Sequence, residues 1–131
     1  MNLLLDTHIW LWRELSPDRV PAWAAPSLTN PENELWLSPL STWELVQLCQ
    51  RGRIRLDSPW PEWVAACWHR NRFRDAPLGQ EVVAAAEGVE LSHRDPMDWL
   101  LAATARYYGL MLVTADERLL AGRGFARLRT G

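Results

Sequence analysis

Two short apolar runs stand out in the hydropathy pattern, and each leads to an aspartate. Residues 3–5 (LLL) precede Asp6, and residues 110–113 (LMLV) precede Thr114 and then Asp116. Apolar runs of this length predict strands buried on both faces, which are typical of parallel sheets. Ligands of such sheets bind beyond the carboxyl ends of the strands. Asp6 is therefore either a ligand-binding residue or the N-cap of the next helix.

Segments with helical periodicity alternate along the chain with these two apolar runs and with weaker strand patterns. Residues 9–15 carry apolar side chains at helical spacing, and Asp95 and Pro96 suit the N-cap and first position of the clearest helix. Prolines interrupt residues 17–31, which predicts short helical turns rather than one long helix. The other patterns predict strands at residues 34–37, within 73–78 and at 125–128, and helices at 38–50, from 57–61 onwards, at 80–87 and at 118–121.

This alternation predicts an α/β fold with a central, mainly parallel sheet. A length of 131 residues indicates a single domain spanning residues 1–131. No stretch approaches the length of a membrane span, and no secretory leader is visible, so we expect a cytoplasmic protein without a membrane partner. Cys49 and Cys67 lack metal-ligand spacing and are expected to be free thiols.

Four acids are predicted to converge at one edge of the sheet. Asp6 and Asp116 follow the two central strands, while Glu44 and Asp98 are placed in the first turns of two helices that begin at the same edge. Asp95 is a possible fifth member, because positions three apart are neighbours on a helix. Capping explains each acid taken singly: Ser41 to Glu44 fits a capping box, and Asp95 before Pro96 fits an N-cap. Capping does not require four acids at one edge, which favours a functional cluster.

Converging carboxylates repel one another unless a positive group lies among them. Hard divalent cations such as Mg²⁺ and Mn²⁺ prefer oxygen ligands, and they can activate water and neutralise charge on a phosphodiester. The formal charge of −2 does not by itself indicate a nucleic-acid partner. The basic residues are all Arg, and the alternating residues Arg51, Arg53 and Arg55 either contact phosphates or form a solvated loop. We expect structural roles for His8 and His93.

Four segments resemble, in order and spacing, the motifs of PIN-domain proteins, and most closely those of the VapC toxins of type II toxin–antitoxin modules. The segments are LLLDTHIWLW, SPLSTWEL, HRDPMDWLLAATA and LVTADERLL, and the resemblance spans residues 2–128. The resemblance implies a PIN-like three-layer sandwich with a sheet of about five strands. It also implies a cytoplasmic endoribonuclease toxin that depends on Mg²⁺ or Mn²⁺ and hydrolyses RNA phosphodiesters with metal-activated water.

The family's four acids fall on positions that this chain fills with acids. The resemblance therefore implies that Asp6, Asp98 and Asp116 hold the metal and that Glu44 binds it directly or through water. Support for the site is expected from Thr114, which matches the family's small hydroxyl residue, and from Thr7 and Asp95. Trp99 departs from the Arg that the subgroup often carries after the third acid. The implied partners are an RNA substrate, a cognate VapB-like antitoxin that inhibits the enzyme, and a second copy of this chain in a homodimer.

Two alternatives are weighed against this function. A non-catalytic binding module with the PIN fold would bind no Mn²⁺ and cleave no RNA. A magnesium-dependent phosphotransfer or phosphatase domain also places an aspartate at a strand end. A receiver-like domain would use a strand-end Lys, and the sequence contains no Lys. A phosphatase of the haloacid-dehalogenase type would carry an aspartate two residues after Asp6, where this chain has His8.

Overall fold

The structure is a computed structural model that describes residues 1–128, so the last three residues of the predicted domain lie outside the described part. The strands are β1 (Asn2–Leu5), β2 (Glu34–Leu37), β3 (Arg74–Asp75), β4 (Met111–Val113) and β5 (Ala126–Arg127). The helices are α1 (Thr7–Leu15), α2 (Ala25–Thr29), α3 (Pro39–Gln50), α4 (Trp60–Asn71), α5 (Gln80–Ala85), α6 (Pro96–Tyr108) and α7 (Glu117–Leu120). Short 3₁₀ turns lie at Pro17–Arg19 and Ala86–Gly88.

All five strands form one parallel sheet in the order β3-β2-β1-β4-β5. The central strand β1 pairs with β2 on one side and with β4 on the other. The two apolar runs are therefore neighbours in the middle of the sheet, and the prediction of an α/β fold with a central parallel sheet is confirmed. The chain leaves β1 towards β2 and β3 and later returns to the other side of β1, which makes the β1–β4 boundary a topological switch point.

Helices cover both faces of the sheet, because successive side chains of a strand point to opposite faces. Leu3 and Leu5 are fully buried in one cluster, which includes Trp10 of α1 and Leu45 of α3. Leu4 is fully buried on the opposite face, in a cluster built mainly from α5, α6 and β4. The sheet is thus the middle layer of three, and the apolar run at residues 3–5 of β1 follows from burial on both sides.

Helix α3 lies within the predicted residues 38–50, but it begins before Ser41. Ser38 is its N-cap, and the Ser38 hydroxyl accepts a hydrogen bond from the Leu40 N–H, with Pro39 in the first turn. No acid lies in that first turn. The predictions that Glu44 lies in the first turn and closes a capping box with Ser41 are therefore wrong. Pro39 favours the first helical position, so the helix starts before Ser41 and carries Glu44 to its second turn.

Several other local predictions are confirmed. Asp95 is the N-cap of α6, and Gly109 ends that helix with a left-handed φ of 65°. Both cysteines are free, Cys67 being buried and Cys49 partly buried. Within residues 1–128, no helix has the length and apolar character needed to cross a membrane.

Candidate active site

The candidate site is a cavity at the carboxyl ends of β1 and β4. The two strands stay paired to their last residues, and the Asp6 N–H donates to the Val113 carbonyl at 2.9 Å. The cavity is lined by acids from four different parts of the chain together with a few other side chains, namely Asp6, His8, Trp12, Glu44, Asp95, Asp98, Ala115, Asp116 and Arg118. The predicted convergence of acids at one edge of the sheet is therefore seen in the structure.

Asp6 lines the cavity and is only 9% exposed. It is the N-cap of α1, and its Oδ1 accepts a hydrogen bond from the Thr7 N–H at 2.7 Å. Its Oδ2 accepts a hydrogen bond from the Thr114 hydroxyl, also at 2.7 Å. Burial raises the pKa of Asp6 above its usual range despite these hydrogen bonds, and the nearby charge of Asp98 adds to the rise. A bound cation would therefore stabilise the ionised form of Asp6.

Glu44 is joined to the end of β1 through Thr7. The buried Thr7 hydroxyl donates to Glu44 Oε1 at 2.9 Å and lies 3.0 Å from the Ser41 hydroxyl. Partial burial raises the pKa of Glu44, and the charge of Asp6 acts in the same direction. Although Glu44 lies one turn further along α3 than predicted, its side chain still lines the cavity. The role of Thr7 is therefore to link α1 to α3 at the site.

Asp98 is in the first turn of α6, as predicted, and its side chain is 16% exposed. Its Oδ2 lies 2.7 Å from His93 Nε2, and the carboxylate accepts this hydrogen bond. His93 is itself held by the Trp99 indole N–H, which donates to the His93 carbonyl at 2.8 Å. Burial raises the pKa of Asp98 despite the hydrogen bond from His93. His93 was expected to have a structural role, and nothing in the local sequence indicates that its ring turns back to Asp98.

Asp116 is the N-cap of α7, and its Oδ1 accepts the Arg118 N–H at 2.9 Å. The Arg118 guanidinium also bonds both carboxylate oxygens, with Nε 3.4 Å from Oδ1 and Nη2 3.2 Å from Oδ2. Burial tends to raise the pKa of Asp116, but the bonds and charge of Arg118 together outweigh it, and the pKa is lowered. The Thr114 hydroxyl accepts the Asp116 N–H at 3.0 Å, so Thr114 connects Asp116 with Asp6.

Asp95 lies at the rim of the cavity, where its side chain is exposed and accepts the Met97 N–H at 2.9 Å. This capping bond accounts for Asp95 as the sequence analysis expected. The structure thus places the four main acids around one cavity and Asp95 at its border.

The donor set suits a hard divalent cation, because it consists of carboxylates and three of them have a raised pKa. Among residues 1–128, however, no group of three His, Cys, Asp or Glu side chains is arranged to hold a metal ion. Each acid is instead held by hydrogen bonds to neighbouring residues: Thr7 and Thr114 for Asp6, Thr7 for Glu44, His93 for Asp98 and Arg118 for Asp116. The acids have the right chemistry but would have to turn toward one another.

The three-layer α/β sandwich with a central parallel sheet of five strands is the architecture that the PIN resemblance implies. The family model of the PIN domain matches residues 3–124 of this chain. The chain belongs to the PIN-domain family.

Known relatives agree with this family. Ribonuclease VapC22 of Mycobacterium tuberculosis is 32% identical over 123 residues, which cover 93% of this chain and 92% of that protein. Among solved structures, a chain of VapBC2 from Rickettsia felis, bound to a DNA fragment from their promoter, aligns over 98% of both chains with a TM-score of 0.67 and 16% identity. A chain of FitAcB from Neisseria gonorrhoeae aligns over 98% of this chain and 97% of its own, with a TM-score of 0.64 and 21% identity. At these identities the solved structures support the fold alone.

Proposed function

We propose that this protein is a divalent-metal-dependent endoribonuclease toxin. The observation that carries the proposal is that Asp6, Glu44, Asp98 and Asp116 line one cavity at the switch point of the sheet. The relative that is named a ribonuclease matches almost the whole chain, which favours RNA as the substrate. Serine or cysteine nucleophiles do not line this cavity among residues 1–128, which agrees with hydrolysis that needs carboxylates rather than a covalent intermediate.

The proposed ligands of Mg²⁺ or Mn²⁺ are Asp6, Asp98 and Asp116, with Glu44 binding directly or through water. When bound, the ion would supply activated water and neutralise charge on the phosphodiester. Thr114 has a supporting role in this proposal, because its hydroxyl orients Asp6 and its oxygen fixes the backbone of Asp116. The Thr7 hydroxyl orients Glu44 by donating a hydrogen bond to it, and Asp95 caps the helix that carries Asp98.

The proposal includes a cognate VapB-like antitoxin that holds the enzyme inactive in the cytoplasm, and a homodimer of this chain within the complex. Its support is the resemblance to VapC toxins and the origin of the structural relatives, which come from structures of VapBC2 and FitAcB. A basic side chain from such a partner would form ion pairs with the carboxylates of the cavity, whose negative charge is not fully neutralised within this chain. If a co-purified partner protein leaves nuclease activity unchanged, the antitoxin part of the proposal is wrong. Mass measurement in solution tests the dimer.

The test of the enzyme is RNA cleavage by Asp6→Asn and Asp98→Asn in the presence of Mg²⁺. Both changes remove a charge and keep the size of the side chain, so we expect cleavage to fall by at least about a hundredfold while the circular dichroism spectrum stays unchanged. Asp57→Asn is the matched control, since Asp57 is exposed and does not line the cavity. If either site variant is folded and cleaves RNA at the wild-type rate, the assignment of the site is wrong.

A further inference from the structure

The arginine in the cavity of acids has an unusual position. Arg118 is the one arginine among the described residues that line this cavity. Its Nη2 lies 3.2 Å from Asp116 Oδ2 and 3.9 Å from Asp98 Oδ2, so one guanidinium contacts the N-cap of α7 and an acid in the first turn of α6. A purely local ion pair within α7 accounts for the contact with Asp116. It does not account for the reach to Asp98, which lies on α6.

The Arg118 guanidinium lies beside two carboxylates that would otherwise repel each other. Asp98 and Asp116 are two of the proposed metal ligands, and the positive charge between them relieves their repulsion. Arg118 donates hydrogen bonds to both carboxylate oxygens of Asp116, so a metal ion that binds this carboxylate would compete with the guanidinium.

The contact is weak enough to be exchanged. The Arg118 side chain is 57% exposed and the Asp116 side chain is 29% exposed, and ion pairs in contact with water add little stability. A divalent cation carries twice the charge and is held by several carboxylates at once, so it outcompetes one guanidinium. Because Arg118 is only two residues from Asp116 and its N–H is tied to that side chain, a released guanidinium stays at the cavity.

We infer that Arg118 is an internal counter-ion that occupies the cation position of the metal-free site, leaves the carboxylates when they take up Mg²⁺ or Mn²⁺, and then binds a phosphate of the RNA substrate. A guanidinium forms strong, paired hydrogen bonds to phosphate oxygens, which suits it to the second position. Arg118 would thus neutralise negative charge of the acids before metal and substrate bind, and negative charge of the substrate phosphate afterwards. This inference rests on the proposed function, because it needs a metal-binding nuclease.

The first test measures Mn²⁺ affinity by isothermal titration calorimetry for the wild type, Arg118→Gln and Arg55→Gln. Arg55 is exposed and does not line the cavity, so Arg55→Gln controls for the loss of one positive charge. We expect Arg118→Gln to bind Mn²⁺ at least about threefold more tightly than the control, because the ion no longer competes with an internal cation. Equal affinities of the two variants would overturn the inference while leaving the proposed function intact. If none of the three proteins binds Mn²⁺, the proposed metal dependence fails and the inference fails with it.

The second test follows the guanidinium directly. The Nε–H resonance of Arg118 is assigned by its absence in Arg118→Lys and recorded while Mg²⁺ is added to saturate the site. We expect it to move toward the position of a solvent-exposed arginine, whereas the Nε–H resonance of Arg55 stays in place. An Arg118 resonance that is unchanged at saturating Mg²⁺ would contradict the release.

The phosphate role is tested by steady-state cleavage of a short RNA. We expect Arg118→Gln to raise KM by about fivefold or more with a smaller change in kcat, and Arg118→Lys to restore part of the loss because it keeps the charge. If KM is unchanged in Arg118→Gln, the proposed binding of Arg118 to substrate phosphate is wrong. The proposed competition between Arg118 and the metal ion then stands or falls with the calorimetry and the resonance of the guanidinium.

Discussion

Replacing Asp6 with Asn should stabilise the metal-free chain, although it removes a proposed metal ligand. Asp6 is 9% exposed, and burial raises the pKa of its carboxyl group. A raised pKa means that the folded chain holds this proton more tightly than the unfolded chain does. At neutral pH the ionised group therefore costs folding free energy, and this cost disappears as the pH falls to the ordinary value of 3.8.

The size of the effect follows from the contacts of Asp6. Relief from burying this charge, which two hydrogen bonds compensate only in part, is worth about 1–3 kcal/mol. Asn is as good an N-cap as Asp, so the bond from the Thr7 N–H is kept. The Thr114 hydroxyl currently donates to Asp6 and would have to accept from the Asn amide, which costs about 1 kcal/mol. The net gain is about 1 kcal/mol, or about 3–5 °C in Tm for a domain of this size.

The assay is thermal unfolding in EDTA at pH 7 and pH 4.5, with Asp57→Asn as the control for an exposed aspartate. We expect Asp6→Asn to melt above the wild type at pH 7, by a margin that shrinks at pH 4.5, and the control to match the wild type. Added Mg²⁺ should raise the Tm of the wild type and not that of Asp6→Asn. A lower Tm for Asp6→Asn at pH 7 in EDTA would refute the reasoning, and so would an equal gain at both pH values.

Three further predictions follow from individual contacts. Thr7→Val should lower the free energy of unfolding by about 1–2 kcal/mol in urea titrations and slow cleavage, because it removes the hydroxyl that holds Glu44, and Thr7→Ser should retain both properties. His93→Gln should weaken Mn²⁺ binding by about tenfold in calorimetry, because His93 orients a proposed ligand. At pH 8, Ellman's reagent should modify Cys49 quickly and the folded protein's Cys67 slowly, because burial raises the pKa of Cys67 to about 11; a fast phase that survives Cys49→Ser would contradict this.

The central part of the fold was predictable because its determinants are local. A wholly apolar run such as residues 3–5, followed by a helical pattern, favours a strand that is covered on both faces, and the structure buries all three side chains completely. Asp95 before Pro96, with Gly109 at the other end, specified the bounds of α6 through capping alone. Placing acids after β1 and β4 needed only the rule that parallel strands end at the same edge.

The contacts around the acids were not predictable, because they join residues that are distant in the sequence. The Thr7 hydroxyl bonds an acid 37 positions away, and the Thr114 hydroxyl bonds one 108 positions away. His93 reaches Asp98 through a loop whose path no periodicity describes. The turn of α3 that carries Glu44 was misplaced for a different reason: Ser38 and Ser41 were equally good caps, and the position of Pro39 decided between them.

Capping and function are not alternatives at this site, because a carboxylate has two oxygens. In Asp6, Oδ1 caps α1 while Oδ2 takes part in the network of the cavity through Thr114. Asp116 likewise uses Oδ1 for the Arg118 N–H while Oδ2 meets the guanidinium. The cap fixes the backbone of each acid at the end of its strand, so that the second oxygen is delivered to the same cavity. An Asp-to-Asn change preserves the cap and removes the charge, and it therefore separates the two roles experimentally. A variant that keeps its fold and loses metal binding identifies a functional acid, as we expect for Asp6. Asp95→Asn, by contrast, should keep both the fold and metal binding.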